Sequence, residues 1–221
     1  NPSFANAGGT AAADYIPAAT NLLAAAGTGI TTDYDGGAAR SSSTPSMGAF
    51  EVAVVTYIQI YKTGVLQGVY SYLKGAFDAI NAGSVTGALE IRINQSTTEN
   101  VSAVLNASGT GSADYTSLLI YPTVTGLTVS GNMATPLIDL NGADNVTIDG
   151  RVNATGTTKD LVIVNTNTSA TAGTSTIRFI NDATANTVKY CTIKGSSTNA
   201  ASGILLFSTA AGTGPCGISQ G

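Results

Sequence analysis

The sequence predicts an all-β solenoid, and three observations carry that prediction. Short apolar runs of strand length recur along the chain, and clusters of Gly, Asn, Asp, Ser and Thr separate them as turns require. From about residue 86 onward the apolar residues show no helical period. A weak internal repeat links several of the runs, as expected for coils that stack on one another. The strand-like runs are residues 89–93, 118–121, 127–129, 137–140, 146–148, 161–164, 177–180, 188–193 and 204–207.

The internal repeat appears in three pairwise alignments, whose offsets drift as insertions in loops would make them drift. Asn141 and Asn181 fall at equivalent turns of the first alignment. Stacked asparagine side chains can bond to one another along a ladder, so we expect one there. The aligned segments are 137–143 with 177–183 (offset 40), 146–150 with 191–195 (offset 45) and 161–164 with 204–207 (offset 43).

One segment reads as a helix. Residues 71–82 place Leu73, Phe77 and Ile80 at helical spacing, and Gly83 follows as a stop signal. A lone amphipathic helix ahead of a region of strands can cover the open end of the stack, where backbone groups would otherwise be unpaired. We therefore expect a short capping helix at the N-terminal end of the solenoid.

Strand alternation predicts which side chains face the core. Cys191 lies in the alternating run 188–193 and is expected to be a buried thiol without a catalytic role, because no histidine or cluster of cations would lower its pKa. A disulfide with Cys216 is the alternative, since the spacing of the two cysteines is close to one coil. The predicted inward ladder comprises Leu137, Leu140, Val146, Ile148, Ile163, Ile177, Ile193 and Leu205.

Composition excludes several functional classes. Charged residues are 10% of the 221 residues, the net charge is −4 and the nine Lys and Arg are scattered, which argues against a nucleic-acid groove. The absence of histidine removes Ser-His-Asp and Cys-His catalysis and histidine-ligated metal sites. Tryptophan is also absent, so an aromatic sugar platform is not expected. No apolar run reaches the roughly 18 residues of a membrane span.

Several stretches of the chain resemble known repeat proteins. Residues 145–150 (NVTIDG) are similar to rungs of right-handed parallel β-helix proteins of the pectate-lyase-like superfamily. About residues 70–210 resemble very large cell-surface repeat proteins of Bacteroidota, a group that includes gliding-motility adhesins exported by the type IX secretion system. The stretches that carry this second resemblance are YLKGAFDAINAG, LLIYPT, PLIDLNGADNVTIDGRVNATGTTKDLVIVN, STIRFINDATANTVKYCTIKG and GILLF.

The resemblance implies a fold and a domain organisation. It implies a right-handed parallel β-helix across residues 86–210. Residues 45–51 (PSMGAFE) resemble the closing motif that ends a β-helix domain in similar surface proteins. We therefore expect residues 1–53 to be the C-terminal end of a preceding β-helix-like domain, residues 54–70 a linker and residues 71–221 the N-terminal part of a parallel β-helix domain.

The same resemblance implies secretion to the cell surface. The implied partners are the type IX secretion machinery and its outer-membrane components. Because the chain begins at Asn1 with no Met and no signal peptide, we interpret it as an internal fragment of a longer protein. Residues 214–221 do not continue the expected rung, and no sorting domain is present in the sequence. Anchoring and export are therefore inferred from kinship alone.

Three aspartates raise the question of calcium. Asp139, Asp144 and Asp149 are spaced at five residues, and carboxylates on neighbouring rungs hold Ca²⁺ in pectate lyases. Asp144 and Asp149 lie beside Asn145 and Gly150, however, in settings where aspartate side chains favour turns. We favour the turn interpretation and predict no metal site. Asp33 and Asp35 are a second candidate pair of cation ligands, which a tight glycine turn explains equally well.

Lyase or hydrolase chemistry would need groups that converge. A glycoside hydrolase needs two carboxylates across the scissile bond, and a lyase needs a base and a charge-stabilising cation. Spacing alone brings no such pair together, so isolated charges on a solvated face are the preferred interpretation. The available charged residues are Asp149, Asp182, Arg151, Lys159, Arg178, Lys189 and Lys194.

An ice-binding face would require Thr-x-Thr pairs at a constant period. The pairs at 155–157, 166–168 and 174–176 do not recur in that way.

These observations favour a structural and adhesive module of a large secreted protein, with no catalytic residue, cofactor or metal. A neutral surface of Thr, Ser and Asn can contact surface polysaccharide through many weak contacts, summed by multivalency. The alternative is a fragment of a carbohydrate-active β-helix enzyme, whose fold would be the same. A third possibility is cargo of the secretion machinery with no activity of its own.

Overall fold

A computed structural model of the chain describes residues 57–199 and 203–207. The expectation that residues 1–53 end a preceding domain falls outside these residues. The predicted closing motif at residues 45–51 and Cys216 also lie outside them.

The described chain consists mainly of short strands, as expected. A single α-helix, α1, precedes most of them, and a 3-10 turn spans Val152–Ala154. The elements are β1 (Ile58–Lys62), β2 (Val65–Tyr70), α1 (Leu73–Asn81), β3 (Gly87–Ile93), β4 (Thr97–Glu99), β5 (Ala103–Asn106), β6 (Tyr115–Pro122), β7 (Leu127–Gly131), β8 (Ile138–Asn141), β9 (Val146–Asp149), β10 (Leu161–Asn165), β11 (Ile177–Ile180), β12 (Thr187–Lys189), β13 (Cys191–Gly195) and β14 (Leu205–Phe207).

The strands form a solenoid of about four turns. Three consecutive strands make one turn, from β3-β4-β5 to β12-β13-β14, and each contributes to a different sheet. The first sheet has the order β12-β9-β6-β3-β1-β2, the second β13-β10-β7-β4 and the third β14-β11-β8-β5. Every pairing between successive turns is parallel. The predicted parallel β-helix is therefore confirmed.

The number of residues per turn varies, and this explains which repeat alignments were wrong. Ile138 pairs with Ile177, one residue from the predicted match of residue 137 with residue 177. The second alignment was wrong because Cys191 pairs with Leu161, in the second sheet. The third was wrong because Leu205 pairs with Ile177, in the third sheet. Because the loops differ in length, two strands that a fixed residue offset aligns can belong to different sheets.

The core is a set of inward columns that run from turn to turn. Leu89, Leu118 and Val146 form one such column in the first sheet, and all three are buried. Six of the eight predicted ladder residues are buried as expected. The other two predictions were wrong in degree, since Ile193 is half-buried and Leu205 is 42% exposed. Both lie in the last described turn, where an inward side chain has a described neighbour on one side only.

The predicted capping helix is confirmed, with its buried face formed by Leu73, Phe77 and Ile80 as expected and by Ala76. It packs against β5 and the first two strands. The carboxylate of Glu99, on β4, accepts hydrogen bonds from the first two backbone N–H groups of α1, at 2.9 and 3.1 Å. A negative charge at a helix N-terminus is favourable because the helix dipole is positive there.

The described part of the predicted linker, from residue 57 onward, forms a β hairpin. β1 pairs antiparallel with both β2 and β3, so the hairpin extends the first sheet. The turn joins the strands through Thr63 (φ 48°) and Gly64 (φ 77°), the left-handed angles that a tight hairpin turn needs. The alternation of buried Ile58 and Ile60 ahead of this turn was the available sequence signal.

Asparagines stack along the solenoid, as the pairing of Asn141 with Asn181 predicted. Asn181 donates its side-chain amide to Asn141, and Asn141 donates to Asn106 at 3.0 Å. The ladder ends on α1, where the backbone N–H of Asn106 donates to Asn81 at 2.9 Å. The ladder therefore joins three turns and the capping helix by side-chain bonds that add to the backbone pairing of the third sheet.

Asn165, the last residue of β10, is buried at the corner that follows this strand. Its amide nitrogen lies within 2.9–3.1 Å of three backbone carbonyl oxygens, those of Met133, Thr135 and Ser175. Its oxygen accepts from the backbone N–H groups of Met133 and Asn167, at 3.2 Å each. One side chain thus satisfies backbone groups of a corner that no strand pairing reaches.

We expect Asn165→Ala to destabilise the fold by about 3 kcal/mol, because it leaves buried backbone groups without partners. Urea unfolding followed by circular dichroism measures the loss. Asn100→Ala, at an exposed asparagine, is the matched control and should change stability by less than about 0.5 kcal/mol. Equal stability of the two variants would contradict the role assigned to Asn165.

Candidate functional site

The outer face of the first sheet carries a cluster of aromatic and charged side chains on β1, β3 and β6. Glu90 and Arg92 are two residues apart on β3 and therefore point to the same face. The guanidinium of Arg92 donates to Glu90 Oε2 at 3.0 and 3.3 Å and lies 3.7 Å from the ring centre of Tyr61. The Tyr121 hydroxyl donates to the same oxygen at 2.9 Å. Burial alone would raise the pKa of Glu90, but these bonds outweigh it and lower that pKa.

A second cluster surrounds Asp149 on the same face. Arg151 donates from Nε and Nη2 to the two carboxylate oxygens of Asp149, at 2.8 and 2.6 Å. Lys189 Nζ lies 3.4 Å from Asp149 Oδ2. Asp149 itself is 1% exposed. The bonds from Arg151 lower the pKa of Asp149, so it stays ionised and bound.

The remaining contacts of Arg151 fix its position. Its guanidinium carbon lies 4.4 Å from the ring centre of Tyr190, and Nη1 donates to the Gly156 carbonyl at 3.0 Å. Gly150, between Asp149 and Arg151, is where two turns touch, since a Cβ there would lie 2.1 Å from the Tyr190 carbonyl oxygen. Only glycine permits this approach, which brings Tyr190 beneath the guanidinium.

A third ion pair lies on the outer face of the third sheet. Arg178 on β11 donates to both carboxylate oxygens of Asp139 on the neighbouring β8, at 3.0 and 2.6 Å. The pair borders a shallow cleft of about 270 Å³ that Ser102 and Thr135 also line. Their hydroxyls bond to each other at 2.7 Å. Asp139 and Arg178 are the one carboxylate and the one cation of the described lining, and they bind each other.

The three aspartates considered for calcium have separate partners. Asp139 binds Arg178 and Asp149 binds Arg151, while Asp144 Oδ1 accepts from the backbone N–H and hydroxyl of Thr184 at 2.6 and 2.7 Å. Nowhere in residues 57–199 or 203–207 do three Asp, Glu, Cys or His side chains gather as a metal site would require. The structure therefore brings the three carboxylates to three sites. Asp149 also accepts from the backbone N–H of Arg151, two residues on, as an aspartate in a local turn does, whereas Asp144 bonds to the next turn of the solenoid.

The other charged candidates do not join these clusters. Lys159, Lys194 and Asp182 are exposed, and each lies outside the ion pairs described above. Asp33 and Asp35 fall outside the described residues.

Two of the Thr-x-Thr residues have an internal role. Thr174 and Thr176 are buried, and their hydroxyls donate to the backbone carbonyls of Ala134 and Lys194, at 2.9 and 2.6 Å.

The sequence analysis missed the Glu90–Arg92–Tyr121 cluster. The available signal was two charges of opposite sign, two residues apart on a predicted strand.

Cys191 is a free, half-buried thiol at the start of β13. Burial raises its pKa to about 12, and the nearby charge of Asp149 adds to the effect. A thiol with this pKa is almost entirely protonated at neutral pH and is a poor nucleophile. The predicted depth of burial was too great, because Cys191 lies in the last described turn.

Comparisons with known proteins assign the chain to no family. No protein-family model matches the sequence, and no curated protein or solved structure is detectably similar to it. No helix in the described part of the chain is long and apolar enough to cross a membrane. The class of protein that the fold defines is a parallel β-solenoid.

We expect the stabilising effect of Asp149 to depend on pH. Its folded-state pKa lies below its ordinary value, so the ionised group stabilises the fold above about pH 4 and loses that effect as pH falls through the folded pKa. Asp149→Asn should cost about 3 kcal/mol at neutral pH, and the difference from wild type should shrink in acid.

Urea unfolding at several pH values measures this difference. Asp114→Asn changes an exposed carboxylate and is the control, with little effect at any pH. If Asp149→Asn remained less stable than wild type by the same amount in acid, the loss of stability would not come from the ionised pair.

We expect Cys191 to react slowly with thiol reagents in the native state. A pKa of about 12 lowers the thiolate fraction at pH 8 by roughly 1,000-fold relative to an ordinary cysteine. Labelling should be measured in a Cys216→Ser background, native and in urea, by mass spectrometry. Native labelling as fast as that of the unfolded chain would rule out the protected thiol.

Proposed function

We propose that this chain is a structural and adhesive module of a large secreted cell-surface protein. The observation that supports it most is that the charged groups on the outer faces bind one another. Glu90, Asp139 and Asp149 each accept from a guanidinium, and Glu99 binds the helix N-terminus. Among the described residues, each of these carboxylates is committed to holding the fold, which leaves it poorly suited to transferring a proton.

The construction of the solenoid suits a load-bearing or presenting role. Each turn contacts mainly its neighbours, so length can increase without a larger core. The asparagine ladder and Asn165 add side-chain bonds between turns and at corners, beyond the backbone pairing of the sheets. Between the clusters, the outer faces present neutral hydroxyl side chains such as Thr98 and Ser130, which can contact polysaccharide weakly at many points.

Export by the type IX secretion system and a place on the cell surface belong to the same proposal. They rest on the sequence resemblance to the Bacteroidota surface proteins. Binding of the intact parent protein to its secretion machinery is the corresponding partner interaction.

A carbohydrate-active enzyme is the second candidate, and the cleft beside Asp139 and Arg178 is the observation that favours it. A carboxylate and a cation in a surface groove are groups that lyase and hydrolase chemistry uses. Because both oxygens of Asp139 accept from Arg178, however, this carboxylate would have to leave its partner to act as a base.

We expect the purified chain to show no turnover of pectin, alginate or other acidic glycans, with or without Ca²⁺. Release of unsaturated products and of reducing ends are the two measurements. Turnover that disappears in Asp139→Asn, Asp149→Ala or Arg151→Ala would favour the enzyme and contradict the structural proposal. Asp114→Asn controls for nonspecific loss.

The adhesive part of the proposal predicts a dependence on valency. A single module should be retained weakly on immobilised polysaccharide, and four copies joined on streptavidin should be retained about 100-fold more strongly or better. Biolayer interferometry with monomeric and tetrameric forms of the same biotinylated chain measures this ratio. Equal retention of both forms would contradict adhesion by summed weak contacts.

A further inference from the structure

Asn141 and Gly142 form the single Asn-Gly pair in the sequence. In such a pair the backbone nitrogen of the glycine can attack the side-chain amide carbon of the asparagine, because glycine has no Cβ to hinder the approach. The new N–C bond closes a succinimide ring. The side-chain nitrogen takes up the proton that the backbone nitrogen loses, and it leaves as ammonia. Water then opens the ring at either carbonyl carbon, which gives aspartate or isoaspartate.

The fold needs both residues of this labile pair. Gly142 has a φ of 72°, and a Cβ there would lie 3.1 Å from the Asn181 carbonyl oxygen and 3.2 Å from the Cβ of Ala107. Glycine suits this left-handed angle and this close approach of backbone. Asn141 is the central member of the asparagine ladder, since it donates to Asn106 and accepts from Asn181. The turn after β8 therefore places a thermolabile asparagine directly before a required glycine.

The same contacts keep the two reacting atoms apart. The backbone N–H of Gly142, which supplies the attacking nitrogen, donates to the Ile180 carbonyl at 2.8 Å. The side-chain amide of Asn141, which supplies the attacked carbon, is bonded at both ends. Its nitrogen donates to Asn106 Oδ1 at 3.0 Å, and its oxygen accepts from Asn181. Ring closure requires the nitrogen to leave its carbonyl partner and the amide to turn towards it.

These bonds come from the neighbouring turns of the solenoid. Ile180 and Asn181 belong to the following turn, and Asn106 to the preceding one. Asn141 is half-buried, so burial of its side chain is not what prevents the reaction. The reaction instead has to wait for a local opening of the third sheet, in which β11 separates from β8.

We propose that Asn141 is a site of spontaneous deamidation, kept unreactive by the asparagine ladder and released when β11 separates from β8. The reaction consumes water alone, so it is independent of any ligand and of the adhesive role. Both products lack the amide N–H that Asn141 donates to Asn106. Isoaspartate also carries the backbone through the side-chain carbon at the end of β8. One opening of the sheet is thereby recorded as a permanent break in the ladder.

The test compares the folded and the unfolded chain. The full chain is incubated in mildly alkaline buffer with and without guanidinium chloride, and peptide mapping by mass spectrometry follows each asparagine. In guanidinium chloride, Asn141 should lose its amide before any other asparagine of the chain. In native buffer it should react at least about 100-fold more slowly, because only the locally opened chain reacts. Earlier reaction of another asparagine in guanidinium chloride, or equal rates in the two buffers, would overturn the proposal.

Variants then test the ladder itself. Asn106→Ala frees the amide nitrogen of Asn141, and Asn181→Gly frees its oxygen while suiting the φ of 53° at that position. Each should speed native deamidation about ten-fold, the effect of one side-chain hydrogen bond. Asn132→Ala is the matched control, because it removes another bond between turns, the one that Asn167 donates at 2.8 Å.

The control should leave the native rate at residue 141 unchanged. In guanidinium chloride all the variants should react at the wild-type rate, which separates the ladder from the intrinsic reactivity of the pair. Thermal unfolding establishes that each variant folds. If folded Asn106→Ala and Asn181→Gly reacted no faster than wild type in native buffer, the protective role of the ladder would be wrong.

Discussion

Parallel, in-register stacking of one turn on the next is the constraint on which the rest of the structure depends. It places chemically similar side chains directly above one another, so Leu89, Leu118 and Val146 form one buried column. In the last described turn Phe207 stacks on Phe179 with ring centres 4.8 Å apart, the spacing of neighbouring strands. Because each inward residue contacts the turns before and after it, a column stays intact when loops between the strands change length.

Stacking leaves backbone groups without hydrogen-bond partners in two places, at the corners between strands and at the ends of the solenoid. At the corners, the buried side chain of Asn165 supplies partners to backbone groups, and the stacked side chains of Asn141 and Asn181 bond to each other. At the N-terminal end, α1 covers the first turn and Glu99 binds the start of the helix.

The ion pairs are informative because the chain contains few charged residues. In a chain with 10% charged residues, the carboxylates Glu90, Asp139 and Asp149 each have an arginine partner. Arg92 and Arg151 also lie over tyrosine rings, which adds cation–π attraction at the outer face. These clusters hold adjacent strands or turns together. Opposite charges on these outer faces are therefore paired with each other, which is compatible with the proposed presenting role.

The sequence by itself determined the local features of this protein: short alternating strands, a helix with Phe77 and Ile80 on its buried face, and asparagines at turns. Those follow from periodicity and turn chemistry, which act over a few residues. Only the tertiary structure decided which strand stacks on which, because unequal loops bring Cys191 to Leu161. It alone also joined Asp139 to Arg178. Such contacts depend on how a whole turn closes, and no local pattern carries that information.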